Sequence, residues 1–468
     1  MPTSSASGRN SASNGAKAML RDHDTIVAPA TAAGGAIAVI RFSGSDALTV
    51  CDRIFRGNAP LSSAAGYTVH YGRIIDRERI VDDVLATVFR APHSYTGEDS
   101  VEISCHGSSY IVSEILRLAQ AAGARMAEPG EFTVRAYLAG KLDLSQAEAV
   151  ADLIASSSRA AHALAANQMR GGYSAALDSL REKLLRLTSL LELELDFSEE
   201  DVEFADREEL RNTLEEIGQE IDTLKRSFSL GNAIKEGVAV AIAGAPNAGK
   251  STLLNCLLRD DRAMVSDIAG TTRDVIEEVV DIEGIRFRFL DTAGIRPTDD
   301  RLEQMGIERT RAGIARARIV IRLVDATTAG STIPRPEFPR RDDQTLLTVV
   351  NKIDALPGFV PPPGTIGISA LSGQGVDTLC QALRSAVDTE ALSHGDIIVS
   401  NSRHFQALSA ARSALDRAAA GFRTDLPTDL LAEEVRFVAR ALSAITGRGA
   451  IIPDEILNNI FSKFCIGK

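Results

Sequence analysis

Alternation of apolar and polar residues marks the first third of the chain, and helical spacing takes over after it. Apolar residues recur at every second position in residues 37–42 (IAVIRF), 67–75, 84–89 and 101–105 (VEISC), the period of half-buried strands. In the last run Val101, Ile103 and Cys105 share one face, and Glu102 and Ser104 take the other. Residues 109–122 predict an amphipathic helix, so residues 24–142 read as an α+β domain. From 143 to 234 the segments AEAVADLIASSSRAAHALAANQM and SLREKLLRLTSLLELEL keep helical spacing over many turns, with Gly171 and Gly172 the clearest breakers. Residues 235–388 alternate apolar strand runs with helices, as a parallel sheet with crossovers requires, and contain Pro-rich loops at 334–343 and 357–364. Residues 403–422 and 430–446 return to the helical period before the terminal NNIFSKFCIGK. The expectation is α/β and α: an α/β stretch inserted between two helical blocks, 143–234 and 389–468, that pack as one helical domain.

Residues 1–23 are Ser-, Ala-, Asn- and Gly-rich and are expected to form a disordered tail. An organellar transit peptide is the alternative, and Met19 an alternative start. An acidic corner (Glu199, Glu200, Asp201, Glu203) reads as a solvated turn.

The densest chemistry lies where the α/β stretch begins. Gly244, Gly249, Lys250 and Ser251 fit G-x-x-x-x-G-K-[ST], between the apolar run VAVAIA and the helical TLLNCLL. Glycines let successive N–H groups face phosphate oxygens at a helix N-terminus, the lysine reaches the β- and γ-phosphates, and the serine hydroxyl suits Mg²⁺. Asn247, Ala248 and Thr252 complete that loop. Asp291-Thr292-Ala293-Gly294 follows IRFRFL, where the aspartate can hold Mg²⁺ through water and the glycine N–H can sense a γ-phosphate. Asn351-Lys352-Ile-Asp354 follows LLTVV, and a carboxylate there accepts two hydrogen bonds that guanine offers and adenine lacks. Ser369-Ala370 suits a backbone contact to the guanine oxygen. In this order, each after an apolar run, the strings imply a GTPase. Ras-like enzymes follow D-x-x-G with a glutamine that orients water. Here the position is Ile295, so the polar help must come from elsewhere. Asn247 and the loop Ser266-Asp267-Ile268-Ala269-Gly270-Thr271-Thr272 are the nearest candidates, the lesser alternative for Asn247 being a cap of its own loop.

Composition narrows the setting. The 468 residues are 44% hydrophobic and 24% charged, with a net charge of −12, so any nucleic-acid contact must be a local patch. Five dispersed cysteines (Cys51, Cys105, Cys256, Cys380, Cys465) without a C-x-x-C pair argue for a reducing compartment and against a disulfide framework or zinc site. No apolar run approaches the ~20 residues of a membrane span, and a cytoplasmic protein is expected.

With these motifs in view, the chain resembles the tRNA-modification GTPases of the MnmE (TrmE) family from residue 24 to its end. SYTGED at 94–99, PGEFTVRAYLAGKLDLSQAEAVADLI from Pro129, DIAGTTRD from Asp267 and the terminal FCIGK carry the resemblance. It implies an N-terminal folate-binding and dimerising domain, a helical domain and an inserted Ras-like G domain. It further implies a homodimer that joins a flavin-dependent partner of the GidA (MnmG) type in a heterotetramer and modifies carbon 5 of wobble uridine in tRNA. The one-carbon source would be a 5-formyl-tetrahydrofolate held by Arg41, Glu102, Lys141 and Lys468, the alternative for Arg41 and Glu102 being a plain interstrand ion pair. The resemblance also implies a K⁺ ion bound by Asn247, Ser266, Ile268 and Thr271, Mg²⁺ bound by Ser251 and Thr272, and Glu303 orienting water through a second molecule. Read alone, Glu303 is an exposed helical glutamate. Cys465 is either a nucleophile with Lys463 and Lys468 nearby or a small buried side chain. His106 reads as a structural hydrogen-bonder. The competing reading of the whole is a GTP-dependent switch in RNA or ribosome assembly; such proteins often carry a K-homology domain, and nothing after Asp388 looks like one.

Overall fold

The computed structural model describes residues 24–32, 34–196, 207–259, 278–290, 312–329, 341, 344–387, 397–424, 426–449, 452–462, 464 and 467. These gather into two compact units: residues up to Ala151 with Ser443–Lys468, and Asp152–Leu442. The tail 1–23 and the acidic corner at 199–203 lie outside the described residues.

In the first unit the alternating runs become β1 (Ile26–Pro29), β2 (Ile37–Ser43), β3 (Phe55–Gly57), β4 (Thr68–Asp76), β5 (Arg79–Phe89), β6 (Ser100–His106) and β7 (Arg125–Met126). They form one sheet in the order β3-β4-β5-β6-β2-β1-β7, antiparallel except for the β1–β7 pair. Val101, Ile103 and Cys105 are buried and Glu102 and Ser104 are not, as the period of two requires. The buried side packs on the helices Ala47–Ile54 and Ser109–Ala121 through Val50, Ile54, Ile115 and Leu118. Helix Glu131–Leu138 lies against the C-terminal helix Asp454–Phe461, with Val134, Leu144, Ile460, Phe461 and Phe464 buried together. The end of the second helical block therefore belongs to this unit.

An ion network around the buried Arg135 and Glu131 holds the Glu131–Leu138 helix in place. Arg135, 4% exposed, meets Asp24 at 2.6 Å, Glu131 at 3.1 Å and Glu98 at 3.1 Å, while Arg125 meets Asp24 at 2.7 Å and Glu131 at 2.6 Å. Such charges tolerate burial only because each has opposite charges and hydrogen bonds around it.

In the second unit the helical repeats bury one stripe each: Leu177, Leu180, Leu184, Leu187 and Leu191 on helix Gly172–Asp196, and Leu210, Leu214, Ile217 and Ile221 on helix Arg207–Glu236. Helix Ser402–Arg423 packs on the latter, with Leu415 over Gly218, Phe405 stacked on Phe228 at 4.5 Å and Arg412 bonded to Asp222 at 3.0 Å. Gly171, at φ 85°, breaks the first block where expected. A second break at residues 156–158, unforeseen from periodicity, precedes helix Arg159–Met169, where the Ser158 hydroxyl accepts from Ala161 N at 3.2 Å.

The α/β stretch supplies β8 (Val238–Gly244), β9 (Glu278–Ile282), β10 (Ile285–Leu290), β11 (Ile319–Asp325), β12 (Thr345–Asn351) and β13 (Ile366–Gly367). Their order is β13-β12-β11-β8-β10-β9, parallel apart from the β9–β10 hairpin. β8 is central, and Val238, Val240 and Ile242 face a core shared with Leu253, Phe287 and Leu379. Buried neighbours on both sides explain why VAVAIA reads as an unbroken apolar run.

Candidate functional site: a P-loop at the carboxyl ends of a parallel sheet

Ligands of open parallel sheets bind beyond the carboxyl ends of the strands, and the sequence motifs converge on those ends. β8 runs into the loop of residues 245–249 and the helix Lys250–Arg259, whose first turn presents free N–H groups. Asn247 stands at φ 64° and Gly249 at φ 96°, a left-handed geometry that turns the loop back upon itself. Gly249 has a second reason to lack a side chain: a Cβ there would collide with the Asn351 amide nitrogen. The Lys250 ammonium donates to the carbonyls of Gly244 at 2.8 Å and Ala245 at 3.0 Å, and burial holds its pKa below the ordinary lysine value. Ser251 is half-buried beside it, and Thr252 is exposed.

Asn351 ends β12 and is 2% exposed. Its Nδ2 donates to Ala248 O at 2.8 Å, and its Oδ1 accepts from Ala370 N at 2.9 Å. One side chain thereby ties the phosphate-type loop to the Ser369-Ala370 turn. That turn is closed by its own bonds: Ser369 O accepts from Gly373 N at 2.8 Å, and Ser369 Oγ accepts from Ser372 N at 3.2 Å. Lys352 follows at φ 65°, with Nζ on Asp325 Oδ2 at 2.7 Å, and the Asp354 carboxylate is exposed. A cradle of N–H groups with a lysine, next to an exposed carboxylate on a braced loop, fits a purine nucleoside polyphosphate: anion at one end, hydrogen-bonding base at the other.

Ser266, Asp267, Ile268, Ala269, Gly270, Thr271, Thr272, Asp291, Thr292, Ala293, Gly294, Ile295 and Glu303 lie outside the described residues.

In the first unit, Arg41 on β2 stands directly opposite Glu102 on β6. The guanidinium reaches Glu102 Oε1 at 2.8 Å, lies 5.4 Å from the Tyr95 ring centre and 5.7 Å from that of Phe132, and donates to Gly467 O at 3.4 Å. The ion-pair alternative thus describes the observed contact, although a pair with side chains 19% and 28% exposed keeps open edges for a ligand. Lys141 is exposed, and its stem runs beside Gly97. Gly467, at φ 99°, has no room for a side chain against Pro29 O, so the chain end approaches β1 closely. Cys465, Lys463 and Lys468 lie outside the described residues. His106 bonds Asp82 through both its backbone N–H at 2.8 Å and its ring Nδ1 at 2.7 Å, the structural part expected of it.

The roles of Asp325 beside Lys352, of Tyr95 beside Arg41 and of Asn351 as a brace emerge only in the fold. Asp325 carried a usable signal, since it ends an apolar strand run as Asp291 and Asn351 do.

A central P-loop, an N-K-x-D strand end and a braced S-A turn on one parallel sheet define a GTPase. Residues 25–141 match the model described as GTP-binding protein TrmE N-terminus, and residues 144–465 match the MnmE helical domain. The tRNA modification GTPase MnmE of Bacteroides thetaiotaomicron is 51% identical over 466 residues, covering 96% of this chain and 100% of its own. That of Cytophaga hutchinsonii is 49% identical over 453 residues, covering 95% and 98%. The chain belongs to the MnmE family of tRNA modification GTPases. Among its described residues no helix is long and apolar enough to cross a membrane.

Proposed function

We propose that this GTPase modifies carbon 5 of wobble uridine in tRNA together with a GidA/MnmG-type FAD-dependent protein, in a cytoplasmic heterotetramer, taking its one-carbon unit from 5-formyl-tetrahydrofolate. The observation that carries the folate part is the partly exposed Arg41–Glu102 pair beside the exposed ring of Tyr95, a charged hydrogen-bonding edge next to an aromatic face. Such an edge suits a flat heterocycle with a carboxylate tail. Arg41, Glu102, Lys141 and Lys468 are the proposed ligands, with Cys465 close in sequence to the last of them. The exposed Val69, Tyr71 and Leu85, with Tyr71 opposite Leu85 on β4 and β5, support a homodimer through this unit.

For hydrolysis, Asn247 in its left-handed position joins Ser266, Ile268 and Thr271 as a potassium ligand, Ser251 and Thr272 hold Mg²⁺, and Glu303 orients water. Potassium supplies, when bound, positive charge near the phosphates that Ile295 has no group to replace. Asp354 and the Ser369-Ala370 backbone read guanine, and the Lys250 ammonium meets the phosphates.

Mass spectrometry of wobble nucleosides from a strain lacking this gene tests the reading. Loss of an aminomethyl-type group on uridine carbon 5, restored by the wild-type chain, is expected. An unchanged nucleoside profile would overturn it.

A further inference from the structure

In the N-K-x-D string, Lys352 is constrained both at its backbone and at its ammonium. Its backbone sits at φ 65°, a conformation that non-glycine residues enter only when the surroundings impose it. Its Nζ lies 2.7 Å from Asp325 Oδ2. Asp325 is itself fixed: Oδ1 accepts from Thr327 N at 2.9 Å and from Thr327 Oγ1 at 2.7 Å. In the sheet Asp325 and Asn351 are register partners on β11 and β12, so the lysine beyond Asn351 turns back across the end of the neighbouring strand. A lysine stem otherwise samples many rotamers, and pinning its ammonium restricts where its apolar methylenes lie.

We propose that Asp325 is a positioning residue for the nucleotide base: by holding Lys352 it sets the methylene stem as a flat rest for the purine between the P-loop and Asp354. The inference rests on Asp354 as the guanine reader. Asp325 touches no part of the nucleotide in this scheme, and it acts through Lys352 alone. It therefore governs how long the base stays bound, and leaves the choice of guanine to Asp354.

The test is the dissociation rate of a fluorescent GDP analogue from the full-length protein by stopped flow. Asp325→Asn is expected to raise that rate about fivefold, a modest figure because the ion pair is partly exposed. Thr327→Val, which removes one of the bonds fixing Asp325, should raise it less and serves if the first variant folds poorly. Lys352→Met is the decisive background. In it Asp325→Asn should add nothing, whereas a general structural role for Asp325 would add its full effect there as well. An unchanged rate in Asp325→Asn, or additive effects in the double variant, overturns the proposal. If Asp354→Asn also leaves guanine selectivity unchanged, the reading of the base site has failed; if it alters selectivity while Asp325→Asn is silent, only the present inference has.

Discussion

Replacing Asn351 by alanine tests whether the nucleotide site is braced by one side chain. The change removes the amide that links Ala248 O to Ala370 N, two buried bonds of 2.8 and 2.9 Å. No solvent reaches these groups easily, since Asn351 is 2% exposed and Ala370 4%. A carbonyl and an N–H are left unpaired at about 1–3 kcal/mol each, so the nucleotide-free protein should lose roughly 2–6 kcal/mol from the unfolding of this unit. The same loss frees the 245–249 loop and the 369–370 turn from one another. Binding must then order them anew, and Kd for GDP should weaken by about two powers of ten, some 2.7 kcal/mol. Asn351→Asp separates the two bonds: the acceptor toward Ala370 N survives, while an oxygen now faces Ala248 O. It should therefore weaken GDP through the phosphate side while the Ala370 contact persists. Urea unfolding without nucleotide and fluorescence titration with a GDP analogue supply both measurements. A midpoint and a Kd in Asn351→Ala that match the wild type would refute the bracing role.

Three further outcomes are expected. Asp354→Asn should move nucleotide preference from guanosine toward xanthosine by about two powers of ten, measured by competition binding; retained guanosine selectivity would reassign the base site. GTP turnover in K⁺ should exceed that in Na⁺ at equal ionic strength by at least about tenfold, and equal rates would remove the ion from the mechanism. Acid should loosen the first unit through Asp24. Burial alone would raise its pKa, but hydrogen bonds and charge from Arg125 and Arg135 outweigh that and hold it below the ordinary value. A depressed native pKa contributes stability in full above about pH 3.9, and the contribution disappears as pH falls through the native value. Circular dichroism of the wild type and Asp24→Asn between about pH 5 and 2.5 should show a smaller acid loss in the variant, starting from lower stability; parallel curves would exclude Asp24 as the group responsible.

The strands at 37–42, 84–89 and 101–105 were legible because a period of two fixes which residues face a core whatever that core is. The P-loop was legible because its chemistry is carried by the backbone of a few consecutive residues, so spacing alone specifies it. The break at 156–158 was not, since serines interrupt a helix only weakly unless a hydroxyl finds an N–H to cap, as Ser158 does. The two helical blocks meet where Ser402–Arg423 packs on Arg207–Glu236, while the burial of Phe461 and Phe464 with Val134 and Leu144 was not legible, because helical spacing gives a buried face and no partner for it.

The sequence by itself determined the element types, the GTPase motifs and their order, and the family, all of which are written in local spacing. Only the tertiary structure decided partnership. Asn351 reaches a carbonyl 103 residues away, Arg135 a carboxylate 111 away, and Arg41 its glutamate 61 away. Periodicity says which face a side chain takes, but the strand order β13-β12-β11-β8-β10-β9 says which neighbour waits there. That order is settled by packing and register across the sheet, interactions that no short stretch of chain contains.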